Sequence, residues 1–333
     1  MVPWLSTLRG QPTALATLRR AIGSGRVHHA YLFDGPEGVG KELAAFGFAQ
    51  ALVCERRAEG SADACGECRA CARAVPKAGQ RAPLHPDVVV LERGLYDPAA
   101  IGRRTPETQD LSIDQIRTLV IERAAFPPYE GRAKIFVVRR AEELSTAAAN
   151  ALLKTLEEPG PRTHFVLLSC AADSLLPTIR SRSLRVRFGP LSDDLVTDLL
   201  VERGSVRTEA AAIARLAAGS MAAALVLNDP DALAVRQHFV SRAMAAIESR
   251  DAGAVFDLAE ESKKVSKDAL LLQMHALAAS IGDQGRAAVA AADDRAETAS
   301  LRYAIAMNAI VQIESNASVQ LALESMMLRM RNA

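Results

Sequence analysis

The sequence predicts an α/β domain built on a parallel sheet, followed by a remainder made of helices alone. Three observations carry this reading. Strand-like and helical segments alternate through the first half, the pattern of a parallel sheet with crossover helices. A short apolar strand runs directly into a glycine-rich turn that opens a helix. After Gly189-Pro190 the strand-like runs stop and alanine-rich amphipathic segments replace them.

The elements follow in order. Residues 13–22 place Leu15, Leu18 and Ile22 at helical spacing. Tyr31-Leu32-Phe33 is a short strand leading into the turn from Gly35 to Gly40. Residues 112–123 read as a helix with Ile113, Ile116 and Val120 on one face. Residues 134–138 and 163–170 are buried strands separated by a helix over 145–158, which Ser145 N-caps and Pro159-Gly160-Pro161 terminates. Residues 184–188 form a last strand. Three short helices are expected over 192–202, 208–218 and 221–227, then a break at Asn228-Asp229-Pro230. Longer helical stretches follow around 235–247, 269–281 and 302–313. The expected organisation is an α/β domain over 1–189, a small helical lid over 190–229 and an all-α domain over 230–333.

The chain has 333 residues, enough for two or three domains. Its formal net charge is +1 and only 4% of residues are aromatic. A strong autonomous nucleic-acid binder needs a pronounced basic surface or a stacking platform, and neither is present overall, so any DNA contact is local or shared. No run of eighteen apolar residues is found, and residues 1–10 lack a basic start followed by an apolar stretch. The expectation is a cytoplasmic protein with no membrane partner.

Gly35-Pro36-Glu37-Gly38-Val39-Gly40-Lys41-Glu42 follows a strand and opens a helix, the context in which G-x-x-x-x-G-K-[ST] cradles phosphates. Gly35, Gly38, Gly40 and Lys41 are therefore candidate nucleotide-binding residues. At the next position, where a hydroxyl would hold Mg²⁺, stands Glu42. The strand over 134–138 ends in Arg139-Arg140, where such enzymes place acidic residues for the metal and for hydrolysis. Two readings stand: a working site with Glu42 as an unusual metal ligand, or a remnant of the fold that binds nucleotide weakly or not at all. Three changes in one site argue against autonomous hydrolysis and make ATP binding doubtful.

Cys54, Cys65, Cys68 and Cys71 follow the helix after the phosphate loop, three of them within seven residues. In a cytoplasmic protein such clustering favours metal over disulfides, and four thiolates suit structural Zn²⁺. An iron–sulfur run is the alternative, although no further cysteine follows Cys71 at the required offset, and free thiols are another. His85 is a substitute for Cys54, though a His before Pro86 reads more simply as surface. Cys170 reads as a buried small hydrophobe.

Four stretches together resemble one family. Val27-His28-His29-Ala30-Tyr31-Leu32-Phe33 leading into Gly35-Pro36, the four-cysteine insertion, Asn150-Ala151-Leu152-Leu153-Lys154-Thr155-Leu156-Glu157-Glu158-Pro159, and Leu176-Pro177-Thr178-Ile179-Arg180-Ser181-Arg182-Ser183 are similar to the AAA+ clamp-loader family of bacterial DNA polymerase III. The last resembles its Ser-Arg-Cys motif, with Ser183 in place of the cysteine. The resemblance covers residues 1–190 and implies an AAA+ fold, a RecA-like parallel sheet with helices. It also implies zinc in the insertion and a five-subunit ring that loads a sliding clamp onto primer-template DNA. Within such a ring the gamma or tau subunits hydrolyse ATP, delta opens the clamp, and delta-prime is a more rigid partner. The departures at Glu42, Arg139 and Arg140 point to a non-catalytic, delta-prime-like part beside delta and gamma/tau. Ala222 points the same way, since it stands where the family's ATPases place an arginine after Gly-Ser. The alternative is an ATP-hydrolysing gamma/tau-like subunit. Arg182 matches the arginine that reaches a neighbouring subunit's ATP, and such fingers are worth roughly 10³–10⁵ in rate. Without the family, Arg180 and Arg182 read as a solvated basic turn.

Overall fold

The computed structural model describes residues 3–104, 110–249, 251–314 and 317–333. The chain divides into two compact units, Met1–Leu195 with Gly219–Ala222, and Val196–Ala218 with Ala223–Ala333. The first unit is built on a five-stranded sheet in the order β2-β3-β4-β1-β5. The strands are β1 (Ala30–Asp34), β2 (Val88–Leu91), β3 (Lys134–Val138), β4 (Thr163–Ser169) and β5 (Leu184–Arg187). Every pairing is parallel, and Phe33 of β1 lies opposite Leu168 on one side and Val186 on the other.

Strand β2 is absent from the expected elements. Its Val88-Val89-Val90-Leu91 run is a short, continuously apolar stretch, the pattern of a strand buried on both faces rather than an alternating one. The pleat sorts the sheet's side chains into two cores. Tyr31, Phe33, Val90, Val137 and Val166 point to one, and Leu32, Val89, Phe136, Phe165 and Leu167 to the other. Leu18 and Ile22 of the helix Pro12–Gly23, with the helix Lys41–Val53, cover the first face. The second is covered by the helical stretch from Ile113–Gln115 through a π turn at Ile116–Ile121 to Glu122–Ala124, and by the helix Thr146–Glu157. Ser145 caps the latter through the Ala148 N–H, as its sequence implies. Lys41–Val53 is apolar nearly all round and buried along its length, the character of a helix with no solvent face.

Two buried charges pin the loop between the helical stretch and β3. The Asp87 carboxylate, fully buried, accepts the N–H groups of Tyr129, Glu130 and Gly131 at 2.6, 2.9 and 2.7 Å. The Lys134 ammonium donates to the carbonyls of Arg123, Phe126 and Pro127 at 2.7, 2.9 and 3.2 Å. Buried charges persist only where hydrogen bonds satisfy them, and here backbone dipoles do so.

In the second unit, described by itself, the helices Pro230–Glu248, Gly253–Ser262, Lys267–Ala290, Arg295–Glu314 and Val319–Arg331 enclose a core that includes Phe239, Leu270, Met274, Leu277, Ile310, Leu323 and Met327. A Cβ on Gly285 would lie 3.2 Å from the Ala299 Cβ, so small residues bring two of the helices together. No helix among the described residues is long and apolar enough to cross a membrane.

Replacing Asp87 by Ala leaves three loop N–H groups without their acceptor. The three hydrogen bonds end on a buried carboxylate but start from a partly exposed loop that water can reach, so Asp87→Ala is expected to lower the unfolding free energy by about 1.5–3 kcal/mol. Urea denaturation checks this as a fall in midpoint at unchanged slope.

Candidate functional site

At the carboxyl end of β1 the chain enters a tight turn whose glycines have positive φ: Gly35 at 155°, Gly38 at 76° and Gly40 at 100°. The close approach of other backbone explains two of them. A Cβ on Gly35 would lie 2.1 Å from the Phe188 carbonyl oxygen, and one on Gly38 would lie 2.2 Å from Ser220 Oγ and 2.7 Å from the Ala222 nitrogen. The turn is thus packed between the end of the sheet and the Gly219–Ala222 segment, where the Met221 N–H donates to the Gly38 carbonyl at 3.0 Å. Gln11, buried, fastens it further. Its amide donates to the carbonyls of Val39 and Gly189 and accepts the Gly189 N–H.

The structure brings Gly35, Gly38, Gly40 and Lys41 together in this turn, but Lys41 faces inward. Its side chain is largely covered, and the ammonium donates to the carbonyls of Gly35 and Pro36 and lies 3.5 Å from Cys170 Sγ. Glu42 makes an ion pair with Arg139. Arg139, 13% exposed at its side chain, also meets Glu92 at 2.7 Å and the Arg81 carbonyl at 2.7 Å, and lies 5.6 Å over the Phe46 ring. Arg140 has left-handed backbone (φ 45°) and reaches Glu37 at 3.4 Å and Glu143 at 3.5 Å. Two of the charges that depart from the phosphate-loop pattern, Glu42 and Arg139, are therefore paired with each other, and the third, Arg140, is paired with Glu37 and Glu143. Burial pushes the Glu92 carboxyl up, but hydrogen bonds from Arg81 and Arg139 outweigh it and hold the group below the usual carboxylate range.

The four cysteines also converge. Cys54 ends the helix Lys41–Val53, and Cys68 caps the short helix Arg69–Arg73. The four Sγ atoms lie within 4.8 Å of one another, with Cys54 to Cys68 at 4.0 Å and Cys65 to Cys71 at 3.8 Å. A tetrahedral ion with Cys ligands at about 2.3 Å spaces its sulfurs by about 3.8 Å, so the set fits such an ion. The N–H groups of Cys65, Cys68 and Cys71 donate to the sulfurs of Cys54, Cys65 and Cys68 at 3.3, 3.3 and 3.4 Å. Burial pushes the Cys54 and Cys71 thiols up. It acts upward on Cys65 too, but the N–H groups of Glu67 and Cys68 prevail and bring that thiol down to about 6. Gln50, fully buried, donates to the Cys71 carbonyl and accepts the Trp4 N–H, tying the loop to the helix.

Two expectations need correction. His85 is buried rather than superficial and lies outside the cysteine cluster. Its Nδ1 accepts the Asp87 N–H at 3.1 Å, because the chain turns inward there to begin β2. Cys170 is exposed, since β4 ends at Ser169 and the chain leaves the sheet's cover at that point.

Arg182 follows the helix Pro177–Ser181, at the far side of the unit's chain from the cysteines in sequence. Its side chain is 35% exposed, and the guanidinium meets Glu157 at 2.5 Å and donates to the Thr178 carbonyl at 3.1 Å. Arg180 pairs with Asp173 at 2.8 Å. Local pattern offered no signal for the roles of Glu37, Glu92 and Glu157, whose partners are remote in sequence.

A parallel sheet whose first strand feeds a glycine turn and a helix beginning at lysine defines the phosphate-loop class of α/β proteins. A family model described as "DNA polymerase III, delta subunit" matches residues 10–192, more than half of the 333, and the chain belongs to that family. It is 38% identical over 175 residues to a DNA polymerase III subunit gamma/tau of Mycobacterium tuberculosis, covering 52% of this chain and 26% of the relative. It is 31% identical over 202 residues to subunit delta' of Bacillus subtilis, covering 61% and 54%. It is 40% identical over 159 residues to subunit delta' of Pseudomonas aeruginosa, covering 47% and 42%. The chain thus spans from about a quarter to about half the length of these relatives.

The Glu92 pairing has a pH signature. A carboxyl held low in the folded state contributes stability above its ordinary value and loses it as pH falls through the lowered one. Arg139→Ala removes one of the two guanidiniums that hold Glu92 down while its burial remains. Urea midpoints followed from about pH 7 to about pH 3 are expected to be lower in the variant near neutral pH and to fall less on acidification, so that the gap to wild type narrows as pH drops.

Proposed function

We propose that this chain is a non-catalytic, delta-prime-like subunit of a DNA polymerase III clamp loader. Its family membership and its gamma/tau and delta' relatives support a clamp-loader role. The observation that carries the non-catalytic reading is the Glu42–Arg139 ion pair. A divalent cation entering beside the phosphates would meet a carboxylate already neutralised by a guanidinium, and two arginines where its acidic ligands are needed. Lys41, turned into the loop's own carbonyls, is engaged as well. On this reading nucleotide binding at Gly35, Gly38, Gly40 and Lys41 is weak or lost.

The protein's partners are then delta and gamma/tau in a five-subunit ring, with the sliding clamp and primer-template DNA met through that assembly in the cytoplasm. Residues 190–229 serve as the lid and 230–333 as the collar that holds the ring. Arg182 acts in trans as an arginine finger on a neighbour's ATP. Its half-exposed side chain, on the edge of the unit's α/β body, suits that role. The similarity to gamma/tau of Mycobacterium tuberculosis favours a second reading, an ATP-hydrolysing gamma/tau-like subunit.

Steady-state ATPase decides between them. The isolated protein is expected to show no turnover above a Lys41→Ala control, and clear turnover would establish the second reading instead. In reconstituted rings, Arg182→Ala is expected to leave assembly intact and to lower ATP turnover in part, because other sites keep their own arginines. Arg182→Lys restores little, since an ammonium lacks the planar fork.

The cysteine centre holds one structural Zn²⁺ per chain through Cys54, Cys65, Cys68 and Cys71. Elemental analysis of anaerobically purified protein is expected to give about one equivalent of zinc. Cys68→Ser is expected to release it and to increase proteolysis of the loop while the sheet stays folded; iron, or no metal, would refute the assignment.

A further inference from the structure

Two separate stretches of the chain, the one ending Leu156-Glu157-Glu158-Pro159 and the one holding Arg180-Ser181-Arg182, meet in space. Glu157 is the last residue of the helix Thr146–Glu157, and its carboxylate lies 2.5 Å from the Arg182 guanidinium. A carboxylate at a helix carboxyl end sits against the negative end of the helix dipole, so it gains from a cation there. The Arg182 backbone is held firmly. Its N–H donates to the Ile179 carbonyl at 3.2 Å. The guanidinium, by contrast, is held by one carboxylate and one carbonyl, and both members of the ion pair are partly in water, at 35% and 47% exposure.

We propose that Glu157 is a latch for Arg182, keeping the guanidinium parked along its own subunit until a neighbour's triphosphate displaces the carboxylate. This rests on the in-trans role given to Arg182 above. Magnitude favours a latch over a lock. Ion pairs with this exposure are screened by water and cost at most about a fivefold factor to break. A triphosphate offers several anionic oxygens to the same planar fork and therefore outcompetes a single carboxylate. A deeply buried pair would resist that exchange. Arg180 is paired separately, with Asp173 at 2.8 Å.

The test titrates ATP against rings of this protein with gamma/tau and delta in which only the ATP site facing this protein is left competent. Wild type, Glu157→Gln and Arg182→Ala are compared. Glu157→Gln keeps the side chain's size and removes its charge, so half-saturation is expected at a lower ATP concentration, by up to about fivefold, with maximal turnover unchanged. A lowered maximal turnover at unchanged half-saturation would mean that Glu157 holds a productive geometry, and would overturn the latch. Wild-type values for both quantities would overturn it too, provided that Arg182→Ala lowers turnover. If Arg182→Ala turns over as wild type does, the in-trans role itself fails and the latch with it. A measurement on the chain alone stands beside these: NMR relaxation of the Arg182 guanidinium is expected to show faster motion in Glu157→Gln, and equal motion in both forms would overturn the proposal.

Discussion

The arrangement at the carboxyl edge of the sheet turns on one guanidinium. Arg139 directly follows β3 with little exposure, and a charge so placed is stable only when anions and dipoles surround it. Glu42 from the start of the helix Lys41–Val53, Glu92 from just beyond β2, the Arg81 carbonyl and the face of Phe46 supply that surrounding. Three neighbouring segments are thereby drawn to one point. Arg140 repeats the arrangement more loosely with Glu37 and Glu143. The departures at Glu42 and Arg139 are consequently a compensated pair rather than separate losses, and altering either leaves an opposite charge behind.

Backbone and side chains in the turn carry different information. Its backbone keeps the positive-φ glycines of a phosphate cradle, and their lack of a Cβ is required by contacts with Phe188 and with Ser220 and Ala222. Those contacts operate whether or not a phosphate is ever bound, so the shape of the turn is maintained by packing. The side chains have gone another way. Lys41 satisfies the turn's own carbonyls, and Ala222 fits against Gly38 where a longer cationic side chain would need room.

One helix links this turn to the cysteine centre. Lys41–Val53 carries Lys41 at its start, Gln50 near its end and Cys54 directly after it. Gln50, buried and bonded to both Trp4 and Cys71, makes the cysteine loop an extension of the first core rather than a flexible appendage. A metal held there would stiffen the far end of the helix whose near end shapes the turn. Arg182 and Glu157 stand apart from both, at the ends of helices that pack on the opposite core, and their side chains are partly exposed.

Much of this was legible in the sequence wherever a local pattern decides the outcome. The strand–turn–helix at Tyr31 to Lys41, the Ser145 cap, the break at Pro159-Gly160-Pro161 and the four-cysteine spacing all rest on residues within a few positions of each other, and the structure has each of them. Strand β2 was missed because four consecutive apolar residues show no period, and only pairing with β3 makes them a strand. The burial of His85, the exposure of Cys170, and the partners of Arg139 and Arg182 were likewise decided by tertiary structure. Glu42 and Arg139 are 97 residues apart, and no periodicity reaches that far. The sequence determined which charges and thiols the chain carries and the local geometry that presents them. Only the register and order of the parallel strands decided which of those groups face each other, because side chains from distant segments meet at a sheet edge solely through that packing.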